Sequence, residues 1–192
     1  MSLLSNVIEH NQQFVESKSY QPFITTKFPD KRMVVITCMD ARLTESLPRA
    51  MNLRNGDAKI IKNAGALVSH PFGSIMRSII VAVYELGAEE IFVVGHYECG
   101  MTGLNAQNVL DKARERGVSS DMIDTLEHAG IDLERFLTGF DHVQDSVLNS
   151  VNVIRKHPPL PKNLPVHGLI IHPETGHLDV VADGYEALAV EA

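Results

Sequence analysis

Met33-Val34-Val35-Ile36-Thr37-Cys38-Met39-Asp40-Ala41-Arg42 passes without a break from a β-branched apolar run into a cluster of sulfur-bearing and polar residues. The run follows the turn signal Pro29-Asp30 and has no polar alternation, so it reads as a strand buried on both faces. A second stretch has the same form: Glu90-Ile91-Phe92-Val93-Val94 ends at Gly95 and delivers His96-Tyr97-Glu98-Cys99. The two cysteines of the chain, Cys38 and Cys99, therefore both fall just past strand ends and next to polar residues. Two thiolates and one imidazole suit Zn²⁺, and three protein ligands leave a fourth position for water or another side chain.

Outward from these strands, the pattern alternates. A short helix is expected from about Thr44 to Met51, then the turn Asn55-Gly56-Asp57 and a strand over 58–62. Asn63-Ala64-Gly65 follows, and then a helix from about Pro71 to Leu86, with Pro near its first turn and Gly87 at its stop. Strands alternating with helices predict an α/β fold whose sheet is mostly parallel and flanked by helices on both faces. In such sheets ligands bind outside the carboxyl ends of the strands, where both clusters lie.

The flanks add three pieces. An amphipathic helix is expected within residues 1–20, with Val7, Ile8, Phe14 and Val15 as the apolar face that packs on the domain or on a partner subunit. Residues from about 102 to 156 read as a helical insertion broken at Gly117, Gly130 and Gly139. After the stiff connector Pro158-Pro159-Leu160-Pro161, residues 166–171 and 178–181 read as a C-terminal β-hairpin around Pro173-Glu174-Thr175-Gly176. The whole of 1–192 is expected to form a single domain, long enough to bury a substantial core.

Composition narrows the partners. Seventeen basic and 24 acidic residues give a net charge of −7, which offers no general attraction for nucleic acid or an anionic membrane surface, so a small-molecule partner is expected. The apolar stretch 79–95 is interrupted by Tyr84, Glu85, Glu89 and Glu90, against a membrane span. Residues 1–14 lack a basic n-region and a long apolar run, so we expect a cytoplasmic protein. A reducing compartment disfavours a disulfide and makes metal ligation the better use of the cysteine pair.

Residues 38, 40 and 42 have the i, i+2, i+4 spacing that projects to one side if the strand continues through them. Arg42 would then pair with Asp40, lower its pKa and orient it. An aspartate so held can accept a hydrogen bond from a metal-bound water or swing in as the fourth ligand. His96 and Cys99, three residues apart and flanked by Gly95 and Gly100, can reach one metal from a tight turn.

Taken in order, Cys38-x-Asp40-x-Arg42, Asn63-Ala64-Gly65 and Gly95-His96-x-x-Cys99-Gly100 resemble the β-class carbonic anhydrases, closely over residues 30–105. Met39, Ala41 and the ending Cys99-Gly100-Met101 are similar to the smaller archaeal and bacterial branch. The plant-type pattern has serines at the first two positions, and a glutamine before the second strand where this chain has Arg54-Asn55-Gly56. The resemblance implies one Zn²⁺ per chain held by Cys38, His96 and Cys99, with Asp40 and Arg42 as the catalytic dyad and Asp40 a possible fourth ligand. It also implies a homodimer or higher homo-oligomer with active sites near the subunit interface. The implied reaction is reversible hydration of CO₂ to bicarbonate and a proton through zinc-bound hydroxide. An apolar substrate pocket is expected from Gly65, Ala66, Leu67, Val68 and Phe72, and His70, His172 and His177 are candidate proton shuttles. The same scaffold hosts hydrolases of carbonyl sulfide and carbon disulfide, the alternative reading. A non-catalytic zinc-stabilised interaction module, closed by Asp40, is the second alternative.

Overall fold

In the computed structural model, which describes residues 1–191, a five-stranded sheet organises the chain. Its strands are β1 (Met33–Cys38), β2 (Ala58–Asn63), β3 (Glu90–His96), β4 (Val166–Ile171) and β5 (Leu178–Ala182), in the order β2-β1-β3-β4-β5. The first four run parallel, and β5 returns antiparallel to β4 as the second arm of the C-terminal hairpin.

Residues of β1 and β4 are buried throughout, as expected of β-branched runs covered on both faces, whereas β2 at the edge is only partly covered. Alternate side chains of β1 feed two cores. Val34 and Ile36 pack with Met76 and Ile79 of helix α3 (Ser74–Tyr84) and with Val147, Val151 and Ile154 of helix α7 (Val143–Arg155). Met33 and Val35 face Leu43 and Leu47 of helix α2 (Leu43–Ala50), in the core that also contains Cys38 and Cys99. The remaining helices are α1 (Leu3–Glu16), α4 (Ala106–Glu115), α5 (Ser120–His128), α6 (Leu133–Leu137) and α8 (Gly184–Glu191).

Three expectations change in detail. β1 stops at Cys38, and residues 39–42 turn into α2 instead of continuing the strand, because Asp40 caps the backbone of Arg42. Helix α3 begins at Ser74, not Pro71, since residues 71–73 form a turn in which the Gly73 N–H donates to the His70 carbonyl. Within 102–156, α7 is the crossover helix between β3 and β4 and packs on both, while α4, α5 and α6 form the insertion proper. That insertion is clasped at its base: Gly103 N–H donates to the Phe140 carbonyl at 2.9 Å, and Phe140 N–H to the Met101 carbonyl at 3.1 Å. Among the described residues none of α1 is buried, and Leu3, Leu4, Val7, Ile8 and Val15 face outward. No described helix is long and apolar enough to cross a membrane.

Helix α7 sits directly on two strand glycines. A Cβ at Gly95 would lie 2.7 Å from Val147 Cγ2 and 2.8 Å from Val143 Cγ2, and one at Gly168 would lie 2.9 Å from Val147 Cγ1. Overpacking of this kind costs about 1–3 kcal/mol. Gly95→Ala should therefore lower the thermal midpoint by roughly 2–10 °C in a chain of this size, and Val147→Ala in the same chain should recover part of the loss; calorimetry of the single and double variants checks both.

Candidate metal centre

Parallel pairing of β1 with β3 puts their carboxyl ends side by side. Cys38 is the last residue of β1, His96 is the last of β3, and Cys99 returns from the turn that follows. The donor atoms of Cys38, His96 and Cys99 lie within 4.8 Å of one another, and all three residues are buried. Sγ of Cys38 is 3.8 Å from Sγ of Cys99, far beyond a disulfide bond of about 2.05 Å. It is the spacing that two thiolates need on one tetrahedral zinc, about 3.8 Å for Zn–S bonds of about 2.3 Å.

The imidazole fits the same purpose. His96 Nδ1 lies 2.8 Å from the Tyr97 carbonyl, so Nδ1 carries the proton and donates, leaving the Nε2 lone pair free. Nε2 is buried and has no hydrogen-bond partner among the described residues. An orphaned buried acceptor facing two sulfurs is costly in an apolar core unless a cation occupies the space between them.

Sulfur charge is prepared by the surroundings. The Cys99 thiol donating to Cys38 pulls the Cys38 pKa down to about 4 against the opposing effect of burial, with further help from the backbone N–H groups of Gly65 and Asp40. Cys99 moves the opposite way because the Cys38 thiolate accepts its proton, and burial adds to that. The pair thus behaves as one thiolate and one thiol sharing a proton, which a metal cation would displace.

Gly65 earns its place by conformation. It sits at φ +79° inside the single turn Ala64–Ala66, and a Cβ there would meet Phe140 Cε1 at 3.0 Å and Met101 Cγ at 3.1 Å. Asn63 locks that turn: its Nδ2 donates to the Leu67 carbonyl at 2.6 Å and its Oδ1 accepts from Leu67 N–H at 3.0 Å. The Asn63-Ala64-Gly65 motif is therefore a clamp that aims a backbone donor at Cys38.

Asp40 and Arg42 meet by a route other than extended spacing. Asp40 Oδ1 accepts the Arg42 backbone N–H at 2.8 Å, α2 starts, and the Arg42 side chain curls back to hold the carboxylate through Nε at 3.2 Å and NH2 at 2.9 Å. Those side-chain bonds hold Asp40 well below the usual carboxylate range, at about 2. Asp40 Oδ2 is 3.8 Å from His96 Nε2, yet Asp40 stands outside the group of three mutually close donors. Arg42 has a second carboxylate partner, Glu98, whose Oε2 lies 3.2 Å from NH1.

A cavity of roughly 640 Å³ has walls that include Met39, the residue after Cys38, and Leu67, Val68, Ile75, Met101 and Phe136, while the three donor residues themselves are not among its lining. Of the expected pocket residues, Leu67 and Val68 line it, whereas Gly65 and Ala66 are buried in the turn behind. Phe72 lies elsewhere, 76% exposed and packed against the His157 ring at 5.3 Å. His70 is on the cavity wall, with Nδ1 accepting the Phe72 N–H at 3.0 Å. His172 and His177 are on the β4–β5 turn, where His172 Nδ1 accepts backbone N–H groups and His177 Nε2 is 3.4 Å from Asp179. Sequence reasoning missed Phe136, Leu137 and the pairing of Glu98 with Arg42; the apolar pair on short α6 carries no local signal of the cavity it faces, and the Glu98 contact joins residues 56 positions apart.

The family model for carbonic anhydrase matches residues 33–178. A Bacillus subtilis (strain 168) protein provisionally named carbonic anhydrase YvdA is 63% identical over 186 residues, covering 97% of this chain and 94% of that one. A carbon disulfide hydrolase of Acidithiobacillus thiooxidans is 29% identical over 157 residues, 78% of this chain and 76% of its own. Among solved structures, β-carbonic anhydrase isoform I of Trichomonas vaginalis superposes with a TM-score of 0.85 at 34% identity, over 96% of this chain and all of that one. With the sheet order, the Cys-His-Cys group and these matches together, the chain belongs to the β-class carbonic anhydrase family.

Proposed function

We propose that the protein catalyses the reversible hydration of CO₂ to bicarbonate and a proton, with one Zn²⁺ per chain held by Cys38, His96 and Cys99. The observation that carries this reading is the arrangement of three buried donors with a carboxylate beside them but outside their group. Arg42 holds that carboxylate through two side-chain donors, which leaves the fourth position that a catalytic zinc site keeps open. When bound, zinc supplies the Lewis acidity that makes water nucleophilic near neutral pH.

The chain's own groups do the rest. Asp40, ionised down to about pH 2 chiefly by the Arg42 side chain, is a permanent acceptor; it orients the attacking water by taking a hydrogen bond at Oδ2 and does not retain the proton. Arg42 fixes the direction of that acceptor through two parallel donors. Leu67, Val68, Met39 and Met101 give an apolar approach that suits a linear uncharged gas better than a charged competitor. Two anionic sulfurs donate more charge to the metal than imidazoles do, so activity should rise toward alkaline pH.

A second reading keeps the site and changes the gas to carbonyl sulfide or carbon disulfide. The apolar cavity and the resemblance to a carbon disulfide hydrolase favour it. Headspace sulfide release separates the two.

The proposed partner is a second copy of the chain. Helix α1 is capped by Ser2 and well formed, yet buries none of its residues in its own subunit, and Leu3, Leu4, Val7 and Ile8 form an apolar strip that water alone would not stabilise.

The purified protein should contain one zinc per chain by elemental analysis and hydrate CO₂ in stopped flow. Cys38→Ser and His96→Ala should lose both metal and activity. Asp40→Asn should keep the metal and lose about 10²-fold in kcat, the usual cost of a misoriented reacting group; zinc-loaded wild type without CO₂ hydration at pH 8.5 would refute the reading. Leu4→Asp combined with Ile8→Asp should convert a dimer to a monomer in light scattering, and a wild type that is monomeric at micromolar concentration would refute the partner.

A further inference from the structure

Arg42 engages carboxylates from both arms of the site. Its Nε and NH2 hold Asp40 side-on, while NH1 donates to Glu98 Oε2 at 3.2 Å. NH2 also donates to the Glu98 carbonyl oxygen at 3.3 Å. Glu98 stands in the turn between His96 and Cys99 with φ +55°, a left-handed conformation that few residues with a Cβ adopt. Glycine would fit this backbone with less strain but would bring no carboxylate. Strain of this kind persists where the surroundings hold it, and here it coincides with two contacts to one guanidinium.

A guanidinium is planar, with its five donors in a fixed fork. Fixing the NH1 edge therefore fixes the plane, and with it the direction from which Nε and NH2 meet Asp40. The direction matters because Asp40 Oδ2 is already 3.8 Å from His96 Nε2. A swing of the Asp40 carboxylate away from Arg42 would carry it toward the open side of the Cys38, His96 and Cys99 group.

We propose that Glu98 is a positioning residue: acting through Arg42, it keeps the Asp40 carboxylate beside the metal position and not on it. Both partners raise the hold of Arg42 on its proton, Asp40 first and Glu98 second, as expected of a cation shared by two carboxylates. The proposal rests on the reading of the site as a zinc carbonic anhydrase. Because the Glu98 side chain is 65% exposed, the ion pair contributes little to folding, and its removal leaves a folded protein to measure.

The test compares Glu98→Ala and Glu98→Gln, each in the wild-type and Arg42→Ala backgrounds. Zinc content and CO₂ hydration kinetics are measured, and the Arg42 Nε–H resonance is followed by NMR. Glu98→Ala should retain one zinc, lose about fivefold in kcat with KM unchanged, the most that an exposed ion pair confers, and lose the exchange-protected Arg42 Nε–H signal. Glu98→Gln, whose amide oxygen still accepts from NH1, should keep the signal and most of the rate. In Arg42→Ala the Glu98 substitutions should have no further effect. A Glu98→Ala protein with wild-type kcat and an intact Arg42 signal overturns the proposal, as does an equal loss in the Arg42→Ala background. An inactive zinc-loaded wild type overturns the carbonic anhydrase reading instead, and the NMR comparison then decides Glu98 alone.

Discussion

Side-by-side parallel pairing of β1 and β3 is the constraint on which the site depends. Thr37 stands opposite Val94, so Cys38 and His96 leave neighbouring strands at nearly the same height. Cys99 then needs only a three-residue turn to rejoin them. The surrounding structure serves that pairing. Val34, Ile36, Ile91 and Val93 bury one face under α3 and α7, Met33, Val35 and Val94 bury the other under α2, and the glycines at 95 and 168 let α7 seat closely. A one-residue slip of either strand would exchange its core faces and scatter the three donors.

Charge in the site is managed in layers. Two sulfurs in an apolar core share one proton, helped by backbone N–H groups from Gly65, Asp40 and Met101. His96 is turned by its Nδ1–H to Tyr97 so that Nε2 faces the sulfurs. Outside them, Asp40 is tied to Arg42 and Arg42 to Glu98, at increasing exposure to solvent. The inner layer can hold a cation, and the outer one decides where an anionic side chain stands relative to it. This separation of binding from positioning is what distinguishes a site with an exchangeable fourth ligand from a closed one.

Much of this was legible in the sequence because it is local or periodic. β-Branched runs ending in Cys38 and His96 marked the buried parallel strands, and the rule that ligands gather at carboxyl ends joined the two clusters. What escaped depended on chain reversal and long-range packing. Period-two spacing suggested an extended Cys38-to-Arg42 segment, but the Asp40 side chain competes for the backbone and turns the chain, so the pair forms by a different path. Phe72 looked like a pocket residue by its place after Leu67 and Val68, yet the turn before α3 directs it to His157. Phe136 lines the cavity from a helix 97 residues beyond Met39, a distance over which no pattern in sequence carries information.

The central claim is that the Cys38, His96 and Cys99 site, with Asp40 held beside it, turns over CO₂. Exchange of ¹⁸O between labelled CO₂ and water, followed by mass spectrometry, tests it most directly, since it requires no net reaction. Protein carrying one zinc per chain should deplete the label far faster than buffer at pH 8.5, and Asp40→Asn with the same zinc content should slow that depletion strongly. Depletion by the zinc-loaded wild type at the buffer rate would contradict the account.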